Sequence, residues 1–141
     1  MAVVFLLKIG YYSYRNLNKI KMKKAKKKIS QKCFKFKYRA HEYWLETKFC
    51  VGERLVLINY SLKGLDLTGK DFRGADFSFC DFTGCRINYS DFTGANLEKA
   101  DLSDVNTYGC RFGNANLKGT LIDLEPSYRY MNKYRQTIVS L

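Results

Sequence analysis

The chain has 141 residues, 46% apolar and 16% aromatic, enough for one small core, so a wholly disordered polymer is excluded. Ten glycines and one proline exclude collagen-like and Pro-rich sequence, and no apolar run reaches the ~18–20 residues that span a bilayer. The net charge is +12, yet residues 1–41 hold 13 bases and no acid, so the remainder, with 12 bases and 13 acids, is nearly neutral.

That split divides the chain into a polybasic arm (1–54), a body (55–124) and a tail (125–141). Within the arm, Ser13 to Cys33 is predicted as a partly stable helix, capped by Ser13 and carrying Leu17, Ile20, Ala25 and Ile29 as sparse apolar residues. Like charges in Lys21–Lys28 weaken it. The candidate polyanion-binding residues are Lys19, Lys21, Lys23, Lys24, Lys26, Lys27, Lys28, Lys32, Lys35, Lys37 and Arg39. Such a cluster attracts RNA or DNA phosphates, or an acidic protein surface, with an affinity that falls with salt. Ala2–Leu7 beside the lysines also allows a membrane-surface role, a weaker fit.

Phe34, Phe36, Tyr38, Tyr43 and Trp44 interleave with the last of these bases. Either they stack on unpaired nucleic-acid bases, or they pack on the body as its N-terminal cap, the plainer reading. Arg54–Ser61 reads as a strand leading into the first coil.

From Leu65 the body breaks into fives: LDLTG, KDFRG, ADFSF, CDFTG, CRINY, SDFTG, ANLEK, ADLSD, VNTYG, CRFGN, ANLKG, TLIDL. Eleven of the twelve central residues are large and apolar, the exception being Thr107, and nine of the twelve preceding positions are Asp or Asn. Two positions before each centre stands a mostly small residue. Two inward residues spaced by two fit an extended segment, and the following three-residue gap demands a corner, for which Asp, Asn, Thr and Gly are suited. Ala75, Ala95 and Ala115, like Phe72, Phe92 and Phe112, recur every 20 residues, which predicts four units per coil.

These units resemble the pentapeptide-repeat proteins. The resemblance covers Leu65–Leu124 and implies an all-β solenoid: a right-handed quadrilateral β-helix, here of about three coils, with each central Leu or Phe inward. Lys70, where a small residue is expected, would reach out of an open end, and Arg86, Arg111 and Leu121 replace Asp or Asn. Some family members mimic a DNA duplex and bind topoisomerases such as gyrase. That mimicry needs a strongly negative surface, whereas residues 60–122 hold 8 acids and 7 bases.

Pro126 would start a capping helix running to about Val139, with Tyr128, Met131, Tyr134, Arg135 and Ile138 on one face; the resemblance to the family, some of whose members dimerise, implies a homodimer as a second role for it. The spacing of the five cysteines is not that of a secreted disulfide scaffold, which points to a reducing, intracellular compartment. Cys80, Cys85 and Cys110 fall at inward small positions and read as buried thiols. The near-match Gly64–Lys70 to a phosphate loop has Asp71 where Ser or Thr is needed, and His41 has no nucleophile the sequence can place beside it. No catalytic, metal or cofactor residue is expected. The sequence reads as a non-enzymatic interaction module, a rigid body docked within a ribonucleoprotein or virion-like assembly through its basic arm.

Overall fold

The computed structural model describes residues 26–122. The expectations for Lys19, Lys21, Lys23 and Lys24, for Ala2–Leu7 and for the helix from Pro126 to Val139 lie outside the described residues. In chain order the elements are β1 (Lys27–Lys28), α1 (Gln31–Glu46), β2 (Tyr60–Ser61), β3 (Asp101–Leu102) and β4 (Leu121–Ile122).

Pairing within the body follows the 20-residue period. Val56 bridges Asp76, Asp76 bridges Asn96 and Asn96 bridges Asn116, all parallel, while Ser61, Asp66 and Asp71 start the corresponding columns with Asp81, Arg86 and Asp91. β3 pairs with β4 in the same register, Asp101 with Leu121. Starting points five residues apart thus define four sides, each stacked on itself twenty residues later.

The corners explain the composition of the pentads. The last residue of every unit, from Asn59 through Gly64, Gly69 and onward to Gly119, has a positive φ between 54° and 75°. Most of these corners close with an N–H from the next unit donating back to the central residue's carbonyl, as Cys80 does to Phe77 at 3.0 Å and Ala95 to Phe92 at 2.9 Å, whereas Lys70 N–H donates to Ser90 Oγ at 3.1 Å. A positive φ at the third position of such a turn favours Gly or Asn. The Asp or Asn before each centre stabilises the same corner. Its Oδ1 accepts from the backbone N–H two residues on, as Asp76 does from Ser78 at 3.0 Å and Asn96 from Glu98 at 3.1 Å.

Central side chains fill the interior. Leu67, Phe72, Phe77, Phe82, Ile87, Phe92, Leu97 and Leu102 are all fully buried. Phe72, Phe92 and Phe112 form a continuous column with centroid separations of 5.1 and 5.4 Å. At the small inward positions, Cys85, Ser90 and Cys110 each donate to a backbone carbonyl twenty-three residues earlier, those of Leu62, Leu67 and Ile87. Burial pushes the thiols up, Cys80 to about 12 and Cys85 and Cys110 to about 11, so they are inert packing groups. Thr107 is also buried, as a central position requires.

Three expectations need correction. Arg54–Ser61 is not a lead-in strand but contains the start of the stacked body: Leu55, Leu57 and Leu62 are buried and Val56 already bridges Asp76. The sequence hid this because Leu55 and Val56 stand where a small residue and an Asp are usual. Secondly, the predicted helix Ser13–Cys33 does not run through Lys26–Ser30. Those residues are extended, β1 pairing in parallel with β2 (Lys27 with Tyr60, Lys28 with Ser61), and the helix begins at Gln31. A lysine run that repels itself in a helix finds a strand edge to pair with, and Ser30 Oγ caps α1 by accepting from Cys33 N–H at 3.2 Å. Thirdly, Lys70 does not leave an open end, because α1 lies there and the Lys70 ammonium sits 5.0 Å from the centre of the Tyr38 ring.

Candidate polyanion interface on the N-terminal cap

α1 has two faces with different work. Phe34, Tyr38 and His41, spaced by four and three, are buried against the end of the body. Phe34 and Tyr38 meet Phe72 edge-on at 6.1 and 5.5 Å, extending the aromatic column by one layer.

The same face satisfies the first coil's unpaired backbone edge, one side at a time. The Gln31 side-chain amide acts as a missing peptide: Oε1 accepts from Asp66 N–H at 3.0 Å and Nε2 donates to Asp66 O at 3.1 Å. Tyr38 Oη accepts from Asp71 N–H at 2.9 Å. His41 Nδ1 accepts from Leu55 N–H at 3.1 Å, and β1 covers the fourth side. An edge strand left bare invites foreign pairing, and this one is covered. Burial pushes the Tyr38 hydroxyl up to about 12 and lowers the His41 imidazole from its ordinary value. With Nδ1 accepting, the neutral His41 carries its proton on Nε2, which finds no partner among the described residues.

After α1 the chain turns back sharply. Thr47 Oγ1 donates to Tyr43 O at 2.8 Å and also accepts from Val51 N–H at 3.0 Å. At Gly52, φ is +93° and a Cβ would lie 2.6 Å from Ala40 O and 2.7 Å from Trp44 N, so only glycine fits.

The candidate polyanion residues divide by geometry. Lys26 is committed to the body: its Nζ donates to Phe79 O at 2.7 Å, and burial lowers its pKa despite the nearby charges of Asp81 and Asp101. Lys27 lies over the Tyr60 ring at 5.4 Å, and Lys28 is exposed in β1. Lys32, Lys35, Lys37 and Arg39 are exposed on α1. Of the five interleaved aromatics, Phe34 and Tyr38 are buried and Trp44 is half-buried beside His41 and Phe49, whereas Phe36 is 80% and Tyr43 51% exposed. Packing on the body, the plainer of the two sequence readings, therefore holds for Phe34 and Tyr38 and not for Phe36 and Tyr43. Sequence reasoning missed Gln31 and gave His41 no role; the signal available was the 34, 38, 41 spacing beginning one turn after Ser30.

Elsewhere on the body, charges are paired and screened. Arg86 meets Asp66 at 3.0 Å, Arg111 meets Asp91 at 3.8 Å, and Arg73 forks onto Asp71, lowering that carboxyl's pKa against the cost of its burial. Among the described residues no group of three His, Cys, Asp or Glu side chains is placed to hold a metal ion, and no helix is long and apolar enough to cross a membrane.

Four sides, an Asx-braced left-handed corner every fifth residue and a stacked Leu/Phe interior define a class, and comparison with known proteins agrees. A model of pentapeptide repeats matches eight copies over residues 56–88 and 80–120. The repeat region of this chain belongs to the pentapeptide-repeat family, whose members fold as right-handed quadrilateral β-helices and are generally structural or interaction proteins. Among solved structures, the chain is similar to a pentapeptide repeat protein of the cyanobacterium Cyanothece at 27% identity and a TM-score of 0.48, covering 50% of this chain and 48% of that one. It is also similar to HetL of the cyanobacterium Nostoc, involved in heterocyst differentiation regulation, at 28% identity, a TM-score of 0.45 and coverage of 47% and 31%. A pentapeptide repeat protein of the Arabidopsis thaliana thylakoid lumen gives 27% identity, a TM-score of 0.44 and coverage of 53% and 58%. The chain thus spans about half the length of the first of these structures and less than two thirds of the others. No curated protein matches it in sequence.

Proposed function

We propose that this protein is a non-enzymatic docking module, a β-helix of about three coils that its basic N-terminal arm anchors to nucleic acid within a ribonucleoprotein or other large assembly. The observation that carries the reading is the outer face of α1, where Lys32, Lys35 and Arg39 are exposed on a helix that the body itself holds rigid. Rigid presentation removes the ordering cost that a free lysine tail incurs on binding. The body supplies stiffness and a near-neutral surface, so the field that draws a polyanion comes from the arm alone. A reducing, intracellular compartment suits the five free thiols.

The test is binding of the full chain to RNA and DNA oligonucleotides across a salt series. Affinity should fall steeply with salt, and replacing Lys32, Lys35, Lys37 and Arg39 together by Gln should cost at least ~10-fold and flatten the slope. Unchanged affinity in that variant overturns the assignment to α1. Charge replacement is the better probe than truncation, because removing α1 would uncover the first coil.

A further inference from the structure

The exposed side of α1 carries more than charge. Opposite Phe34, Tyr38 and His41, the residues Lys32, Phe36, Arg39 and Tyr43 follow one another at intervals of four, three and four, and so share one stripe of the helix. The stripe alternates base, aromatic, base, aromatic. Phe36 is the most exposed large apolar side chain among the described residues, at 80%.

We propose that this stripe is a stacking platform for single-stranded nucleic acid, the Phe36 and Tyr43 rings each taking the face of an unpaired base while Arg39 between them and Lys32 on the outer side of Phe36 hold phosphates. The inference rests on the polyanion reading above and narrows it to strands with unpaired bases. Seven residues of helix separate the two rings by about 10 Å, too far to sandwich one base and enough for each to take its own. Aromatic rings interleaved with cations are how sequence-tolerant single-strand sites are built, since every base has a face to stack. A paired base in a duplex offers no such face. A lipid surface fits less well. An interfacial helix needs a broad apolar side, whereas here that side is buried against the body, and the exposed side also carries Glu42 and Glu46.

The experiment uses the full chain with a fluorescent uridine dodecamer, a duplex RNA of equal length, heparin and anionic phosphatidylserine vesicles, at low salt. Phe36→Ala/Tyr43→Ala should weaken dodecamer binding at least ~10-fold while leaving duplex and heparin within about twofold and the salt slope unchanged. Lys32→Gln/Arg39→Gln should weaken all three polyanions and lower the salt slope. Both pairs are exposed, so thermal unfolding should match the parent, and a variant that fails this check is replaced by Phe36→Ser/Tyr43→Ser. Equal losses on dodecamer and duplex, or no loss on either, overturn the stacking platform while leaving the polyanion reading standing. Failure of the parent chain to bind any of the three polyanions overturns both. Loss of vesicle binding with dodecamer binding intact overturns the platform in favour of a membrane.

Discussion

The body and its N-terminal cap solve one problem, an exposed backbone edge, by opposite means. In the body each coil covers the edge of the next with a copy of itself. Every column repeats one pattern, as when Leu57 N–H donates to Asp76 O at 2.8 Å and Asp76 N–H to Leu55 O at 2.9 Å. At the cap no copy remains, so unrelated groups do each copy's job singly: the Gln31 amide on one side, the Tyr38 hydroxyl on the next, the His41 imidazole on the third and a lysine strand on the fourth. The lesson is that redundancy lives in the tube and specificity in the cap. Repeat arrays need atypical terminal units for this reason. Here the terminal unit is a helix whose far side is exposed among the described residues.

Substitutions can break this comparison, starting with the deepest. Phe34→Ala removes a fully buried ring that continues the aromatic column and should cost ~3–5 kcal/mol of global stability in urea unfolding. An unmoved midpoint would make α1 an appendage rather than a cap. Gly52→Ala sets backbone against backbone and should cost several times as much as Gly69→Ala, where a Cβ meets nothing within 4 Å. The latter cost is the positive φ alone, about 1 kcal/mol. Equal effects of the two would show that the cap's packing is as forgiving as a corner of the tube.

Tyr38→Phe keeps the ring but leaves Asp71 N–H without its acceptor. A loss of ~1–3 kcal/mol is expected, with faster amide exchange at Asp71 and none at its tube counterpart, Asp91.

The smallest effect is pH-dependent and belongs to the cap. Burial lowers the pKa of His41 below its unfolded value of 6.5, so the unfolded chain takes up the proton first. Stability should be full above about pH 6.5 and fall as the pH drops below it, because protonation also removes the Nδ1 acceptor from Leu55. Asp71, whose pKa is lowered below 3.8, acts in a separate window beneath that value. A urea midpoint constant from pH 7.5 to 5 would contradict the neutral, accepting His41.

How much of this was legible in the sequence follows the same divide. The tube declared itself because eleven of the twelve pentads from Leu65 repeat the large apolar centre and nine repeat the Asp or Asn that braces the corner. Its first units did not, since Leu55, Val56 and Tyr60 break the pattern while occupying the same positions. In the cap, nothing repeats. Ser13 and a few spaced apolar residues suggested a helix running to Cys33, yet Ser30 caps α1, and Lys70 gave no hint that the Tyr38 ring would cover it. The mixture of aromatics and bases was visible as composition. Its division into a buried set and an exposed stripe depends on which way α1 is rotated, and that is fixed by Gln31, Phe34 and Tyr38 meeting the end of the tube.

The most direct measurement is a hydrogen-exchange footprint of the full chain with and without a saturating uridine dodecamer. The account predicts added protection in residues 31–46, with the columns beyond the first coil unchanged. Protection confined to the sides of the tube, with α1 exchanging as before, would contradict it.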